Sequence, residues 1–168
     1  MQSMYDKYNQ KAQHCFANMS EANQRYLLGY IQLLINRQLS PYTLNSIISN
    51  LRQFCLYLQQ RQASMLLVSV NQECIRDYLS YLHSKLLSPD SINNRLSILK
   101  RFFEYLVDED YMDRVPILHR YFLKQSIHLP RPMTQSDSAV FLSNLDDIQY
   151  RCIFLLMLRS GLRIGEVC

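Results

Sequence analysis

Glycine is nearly missing from this chain, with three residues in 168, and proline occurs five times. Both interrupt regular structure, so their scarcity, with many Leu, Gln, Ser and Asn, predicts a mainly helical protein. A long apolar run is missing as well. The longest, Cys152 to Leu158, falls far short of the ~20 residues that a membrane span needs. The opening residues, Met1 to Asn9, are polar and lack the apolar core of a secretory signal. Five cysteines, at 15, 55, 74, 152 and 168, are odd in number and never spaced Cys-x-x-Cys. That pattern argues against a disulfide framework and a zinc site, and for reduced thiols in a cytosolic protein.

Acidic residues are absent from two long stretches. None lies between Ala22 and Gln72, where Arg25, Arg37, Arg52 and Arg61 occur. None lies from Arg114 to Ser136, which holds Arg114, Arg120, Lys124, Arg131 and two histidines. The acids gather at 108–110, 113 and 146–147. A net charge of +4 decides little by itself, but this segregation gives a positive face that attracts a polyanion. At this length roughly 70% of the unfolded surface can be buried, enough for one or two small domains.

Residues 1–20 are polar and weakly patterned, and they read as a loose or partly helical lead. From Ser20, a good cap, a helix carries Leu27, Leu28, Ile31, Leu34 and Ile35 on one face and ends near Leu39. Ser40-Pro41 opens the next helix, because serine caps well and proline suits the first helical position. Leu44, Ile47, Ile48, Leu51, Cys55 and Leu58 form its buried stripe. Its opposite arc, Asn45, Ser46, Ser49, Arg52 and Gln53, is uncharged or basic and could lie along DNA phosphates without repulsion. A linker over 59–70 leads to a third helix capped by Asn71, with Ile75, Tyr78, Leu79 and Leu82 inward, fading by residues 85–87.

The second helix then repeats. Leu39 to Leu58 aligns with Leu87 to Leu106 at a shift of 48 residues, with nine of 20 positions identical and Arg52 matched by Lys100. This fourth helix buries Ile92, Leu96, Leu99, Phe103 and Leu106, widened by Ile98, Phe102 and Tyr105, as a central helix of a bundle does. Its exposed arc is expected to hold Asn93, Asn94, Ser97, Lys100, Arg101 and Glu104. Ser40 and Thr43 in one helix, and Ser88 and Ser91 in the other, put hydroxyls beside first-turn N–H groups, which suits phosphate. The plain alternative is that Ser-Pro simply starts helices well.

After the acidic turn at 108–113, residues 115–132 are basic, contain three prolines and read as an extended linker. Thr134 to Asp137 spells a capping box that opens a helix through Leu145, and a further helix runs from Asp147 to Arg159. Gly161 suits its left-handed end, and Arg163 and Glu166 follow. A guanidinium held just past a helix end suits a phosphate, because its planar fork donates two parallel hydrogen bonds. The ordinary alternative is a solvated arginine or one paired with a nearby carboxylate.

Two segments carry a family resemblance. Leu158-x-Ser-Gly-Leu-Arg-Ile-Gly-Glu166 resembles the box holding the first catalytic arginine of the tyrosine recombinases, the phage integrase family, with Ser160 where threonine is usual. Ser88 to Leu106 resembles the signature helix of that family's core-binding domain, with Asn94 where a second arginine is common. The resemblance covers roughly Ala22 to Cys168. It implies a chain that is all-α as given: a helical core-binding (SAM-like) bundle followed by the first helices of a mixed α/β catalytic domain. The implied layout is a lead over 1–21, the DNA-binding domain over 22–112, a basic linker over 113–132 and a catalytic fragment over 133–168.

By the same resemblance, DNA contacts are expected at Ser40, Thr43, Asn45, Ser49, Arg52, Ser88, Ser91, Asn93, Asn94, Arg95, Ser97, Lys100, Arg101, Lys124 and Arg131. Arg163 is the first catalytic arginine, clamping the scissile phosphate, and Glu166 its structural support. The implied partners are double-stranded DNA and other recombinase protomers, with no membrane, metal or cofactor, in a bacterial cytosol or nucleoid. The implied reaction is a metal-free phosphoryl transfer in which a tyrosine attacks a DNA phosphate and frees a 5′-hydroxyl. The family's lysine, His-x-x-Arg pair and nucleophilic tyrosine are expected beyond Cys168, so a chain ending there should bind DNA without cleaving it. Two other readings are open: a regulator of an intact recombinase or an inactive remnant, and an unrelated helical interaction domain.

Overall fold

Short polar side chains (Ser, Thr, Asn and Asp) cap most of the helices, and residues other than glycine stop most of them. The computed structural model describes residues 2–61, 65–124 and 132–167, with side chains from Tyr5 onward. Its helices are α1 (Gln2–Phe16), α2 (Glu21–Asn36), α3 (Pro41–Arg61), α4 (Gln72–Ser84), α5 (Pro89–Asp108), α6 (Gln135–Ser143), α7 (Ile148–Ser160) and α8 (Ile164–Val167). No strand occurs among the described residues, and no described helix is long and apolar enough to cross a membrane. The chain is all-α, as its composition predicted. It divides into two compact units, residues 1–126 and 127–168.

In the first unit, Ser20, Asn71 and Ser88 cap α2, α4 and α5 with side-chain oxygens. The helices α2, α4 and α5 then end through Gln38, Leu86 and Asp110, each at positive φ of 53–59°. After α2 and α5 the chain closes with Leu39 N–H donating to the Leu34 carbonyl (3.4 Å) and Tyr111 N–H to that of Leu106 (2.9 Å). These ends need no glycine, which is how so helical a chain manages with three.

The core forms around α5, whose Ile92, Leu96, Leu99, Phe102, Phe103 and Leu106 are all buried. Phe54 of α3 meets Phe103 edge-on, with centroids 6.1 Å apart, and Tyr30 of α2 meets Phe102 at 5.4 Å. The lead, expected to be loose or partly helical, is helical from Gln2 to Phe16. Ala12 and Phe16 of α1 are fully buried, and α1 packs on α2 and α3. The expected extended linker differs over its first half. Ile117 and Tyr121 are buried in the same core, and residues 119–121 form a short 3-10 turn. Residues 125–131 lie outside the described part.

In the second unit, Thr134 and Asp137 form the expected capping box, with both halves present. Asp147 caps α7, and Gly161 ends it in the left-handed region (φ 66°, ψ 17°). Phe141 and Phe154 pack at 4.5 Å, yet no residue of α7 is buried.

Candidate nucleic-acid interface

The two Ser-Pro helices present different amounts of free backbone from those expected. Ser40 Oγ accepts from Thr43 N–H at 3.2 Å and shares a hydrogen bond with Thr43 Oγ1 at 2.8 Å. Ser88 does the same with Ser91, at 3.3 and 2.9 Å. Pro41 and Pro89 bring no N–H, and Leu44 and Ile92 donate to the Ser40 and Ser88 carbonyls. Most first-turn donors are thus absent or used, and Asp90 adds a carboxylate to the start of α5. The helix starts are weaker phosphate sites than the sequence suggested, and the side chains carry the case.

On α3, Ser49 and Arg52 are exposed, and Thr43 is partly so. On α5, Asn94 and Arg101 are exposed, with Ser97 and Lys100 half-buried beside them. Lys100 Nζ lies 3.5 Å from Glu104. Among the described residues, Arg52 and Arg101 have no such partner. Between α3 and α5 runs a groove of about 160 Å³ lined by Tyr30, Thr43, Asn94, Ile98 and Arg101, with Tyr42 on its lip at 85% exposure. Burial pushes the Tyr30 phenol up to about 12, against the pull of Arg101 and Arg37. Tyr42 went unnoticed in the sequence, although it stands outside the buried stripe of α3.

Three expected contacts are engaged elsewhere. Asn93 was placed on the exposed arc but is buried, at 8% exposure. Its carboxamide donates to the Leu123 carbonyl and accepts from the Leu123 N–H, both at 2.8 Å. Asn93 sits where α5 meets the returning chain, and no helical wheel shows a segment 30 residues away. Asn45 is half-buried between two side chains of α1, accepting from Lys11 Nζ and donating to Tyr8 Oη. Arg95 is half-buried as well, with its guanidinium against the Tyr78 hydroxyl. It projects from the flank of α5 away from Ser97 and Arg101, since residues 95 and 97 are about 200° apart on a helix. Lys124 is exposed, and Arg131 lies outside the described residues.

In the second unit, the Glu166 carboxylate accepts from the backbone N–H of Arg163 at 2.6 Å and lies 3.6 Å from its guanidinium. The Arg163 side chain is 87% exposed. Glu166 therefore fixes the backbone that carries Arg163 and leaves much of the fork available to an anion. Among the described residues, no cluster of His, Cys, Asp or Glu could hold a metal ion.

The sequence profile described as the N-terminal SAM-like domain of phage integrase matches residues 27–110, half of the chain. No curated protein and no solved structure gives a significant match. The matched span runs from α2 through α5, the helices that carry the face described above.

Proposed function

Because the chain belongs to the phage integrase (tyrosine recombinase) family, we propose that residues 22–124 are the part of a site-specific recombinase that grips duplex DNA. The observation that carries this reading is the exposed, acid-poor face of α3 and α5, with Arg52 and Arg101 free of carboxylate partners among the described residues. Those guanidiniums donate in parallel to phosphate oxygens, while Thr43, Ser49 and Asn94 add neutral hydrogen bonds. Contacts of this kind fix the protein's register on the duplex more than they read its sequence. Residues 113–132 then lead the chain toward a catalytic part in which Arg163 stabilises charge on the scissile phosphate, its backbone held by Glu166. Further protomers of the recombinase are the natural partners on DNA.

The test is fluorescence anisotropy of residues 1–168 with random duplex DNA over a series of salt concentrations. Each neutralised phosphate contributes about −0.9 to the slope of log K against log salt. Two to four contacts give a slope of roughly −2 to −4. No salt-dependent binding at low ionic strength would sink the reading.

A further inference from the structure

Further along α3, toward its C-terminal end, lies a cleft of about 360 Å³ between α3, the end of α4 and the start of α5. Its volume falls within the ~300–1,000 Å³ of small-ligand pockets. One wall is aromatic: Tyr57 and Tyr81 pack at 4.9 Å and rest on the buried Tyr78. Leu56, 41% exposed, lies on the lip, and the amides of Gln53 and Gln60 add hydrogen-bonding groups. Lys85 Nζ stands 5.4 Å from the centre of the Tyr81 ring, and Arg95 reaches in from α5. No carboxylate lines the cleft, and among the described residues neither Lys85 nor Arg95 has an ion-pair partner. The Arg95 guanidinium, held by the Tyr78 hydroxyl and without a carboxylate partner among the described residues, keeps donors to spare for an anion. An anion entering beside it gains charge-assisted hydrogen bonds.

The walls call for a planar ring, and the two cations call for a phosphate. We propose that this cleft is a nucleotide-binding subsite, seating a base against Leu56 and Tyr81 and its phosphate between Lys85 and Arg95. The ligand could be an unpaired nucleotide of a DNA strand or a free nucleotide. The fold favours the strand, since Ser49, Gln53, Leu56 and Gln60 recur at helical spacing along one face of α3. The cleft therefore continues the face assigned above to duplex DNA. This step extends that reading to unpaired bases beside the gripped duplex, as stacking platforms do in proteins that hold single strands.

The experiment follows the methyl NMR signals of Leu56, Leu82 and Leu87 in residues 1–168. The chain is titrated separately with dTMP, inorganic phosphate and a short oligodeoxythymidine. The expected result is ring-current shifts with the oligonucleotide and with dTMP, and none of that kind with phosphate. Tyr81→Leu should weaken oligonucleotide binding about 5- to 150-fold, the range for losing one stacked base. Lys85→Gln, at an exposed site that leaves the fold alone, should weaken it as well. Shifts with dTMP but not with the oligonucleotide assign the site to free nucleotide. Equal shifts with inorganic phosphate, or unchanged oligonucleotide affinity in both variants, overturn the proposal. Blunt duplex binding should survive Tyr81→Leu, and its absence in the unsubstituted chain would defeat the duplex reading without touching the cleft.

Discussion

Replacing Asn93 by alanine separates a structural asparagine from the exposed one at the next position, which we propose faces DNA. Asn93 makes two 2.8 Å hydrogen bonds to the backbone of Leu123, one as donor and one as acceptor. A hydrogen bond contributes about 1 kcal/mol net, and a buried group left without a partner loses about 1–3 kcal/mol. Leu123 is only half-buried, so water can reach part of what alanine exposes, and the loss should be about 2–4 kcal/mol. Total stability is about 5–15 kcal/mol, and urea slopes for small proteins are about 1–3 kcal/mol per molar. The urea midpoint should therefore fall by roughly 1–2 M, with faster amide exchange at Leu123. Asn93→Asp should fail to rescue, because a carboxylate oxygen would face the Leu123 carbonyl in place of the donor. Asn94→Ala should change stability by less than about 0.5 kcal/mol but weaken duplex binding. A midpoint and a Leu123 exchange rate both unchanged in Asn93→Ala would refute the clamp.

Arg52→Ala should reduce the magnitude of the salt slope for duplex binding by about 0.9, and Glu104→Gln should tighten binding by freeing Lys100 from its 3.5 Å ion pair; anisotropy measures both. Burial raises Cys55 from 9.0 and Tyr30 from 10.0 to about 12, so the folded state holds these protons longer than the unfolded chain. That contribution is complete below about pH 9 and is lost as pH rises toward 12. Stability followed by circular dichroism should fall over this window, and a flat profile would count against the burial of both groups. Since α7 buries none of its residues, its amides at 148–160 should exchange much faster than those of α5, and comparable protection would show that α7 is covered.

Much of the first unit was legible because helical periodicity and caps are local. Leu44 to Leu58 and Ile92 to Leu106 were assigned inward from spacing alone, and the structure buries them. The capping box at Thr134 and the left-handed Gly161 were equally readable. The misses share a different physics. In the lead, Tyr5, Tyr8, Ala12, Phe16 and Met19 recur at helical spacing and pack on or in the core, but the stripe is made of small and amphipathic residues set among Gln, Asn and Lys, so its periodicity was overlooked. Residues 115–124 looked like linker because prolines and basic residues mark loops, while their order comes from Ile117, Tyr121 and a side chain 30 positions back. Of the candidate interface, the charge pattern was visible in sequence. The fate of individual polar side chains was not.

The internal repeat shows why. Asn45 and Asn93 occupy equivalent positions, one residue after the first buried position of each helix, and the sequence placed both on a solvent arc. Each instead fastens a neighbouring segment: Asn45 holds α1 through Tyr8 and Lys11, and Asn93 holds Leu123. A third asparagine, Asn23, does the same for the loop after α3, accepting from Leu67 N–H at 2.8 Å and donating to the Met65 carbonyl at 3.0 Å. A carboxamide offers a donor and an acceptor side by side, so it can match the N–H and C=O of a passing chain as a strand edge would. Arginine, with donors only, cannot accept a hydrogen bond and so cannot close such a pair. Polar residues of the first unit are therefore divided by chemistry. Asn23 and Asn93, each matching a backbone N–H and C=O, are drawn into the bundle, whereas Arg52 and Arg101, having only donors, stay exposed.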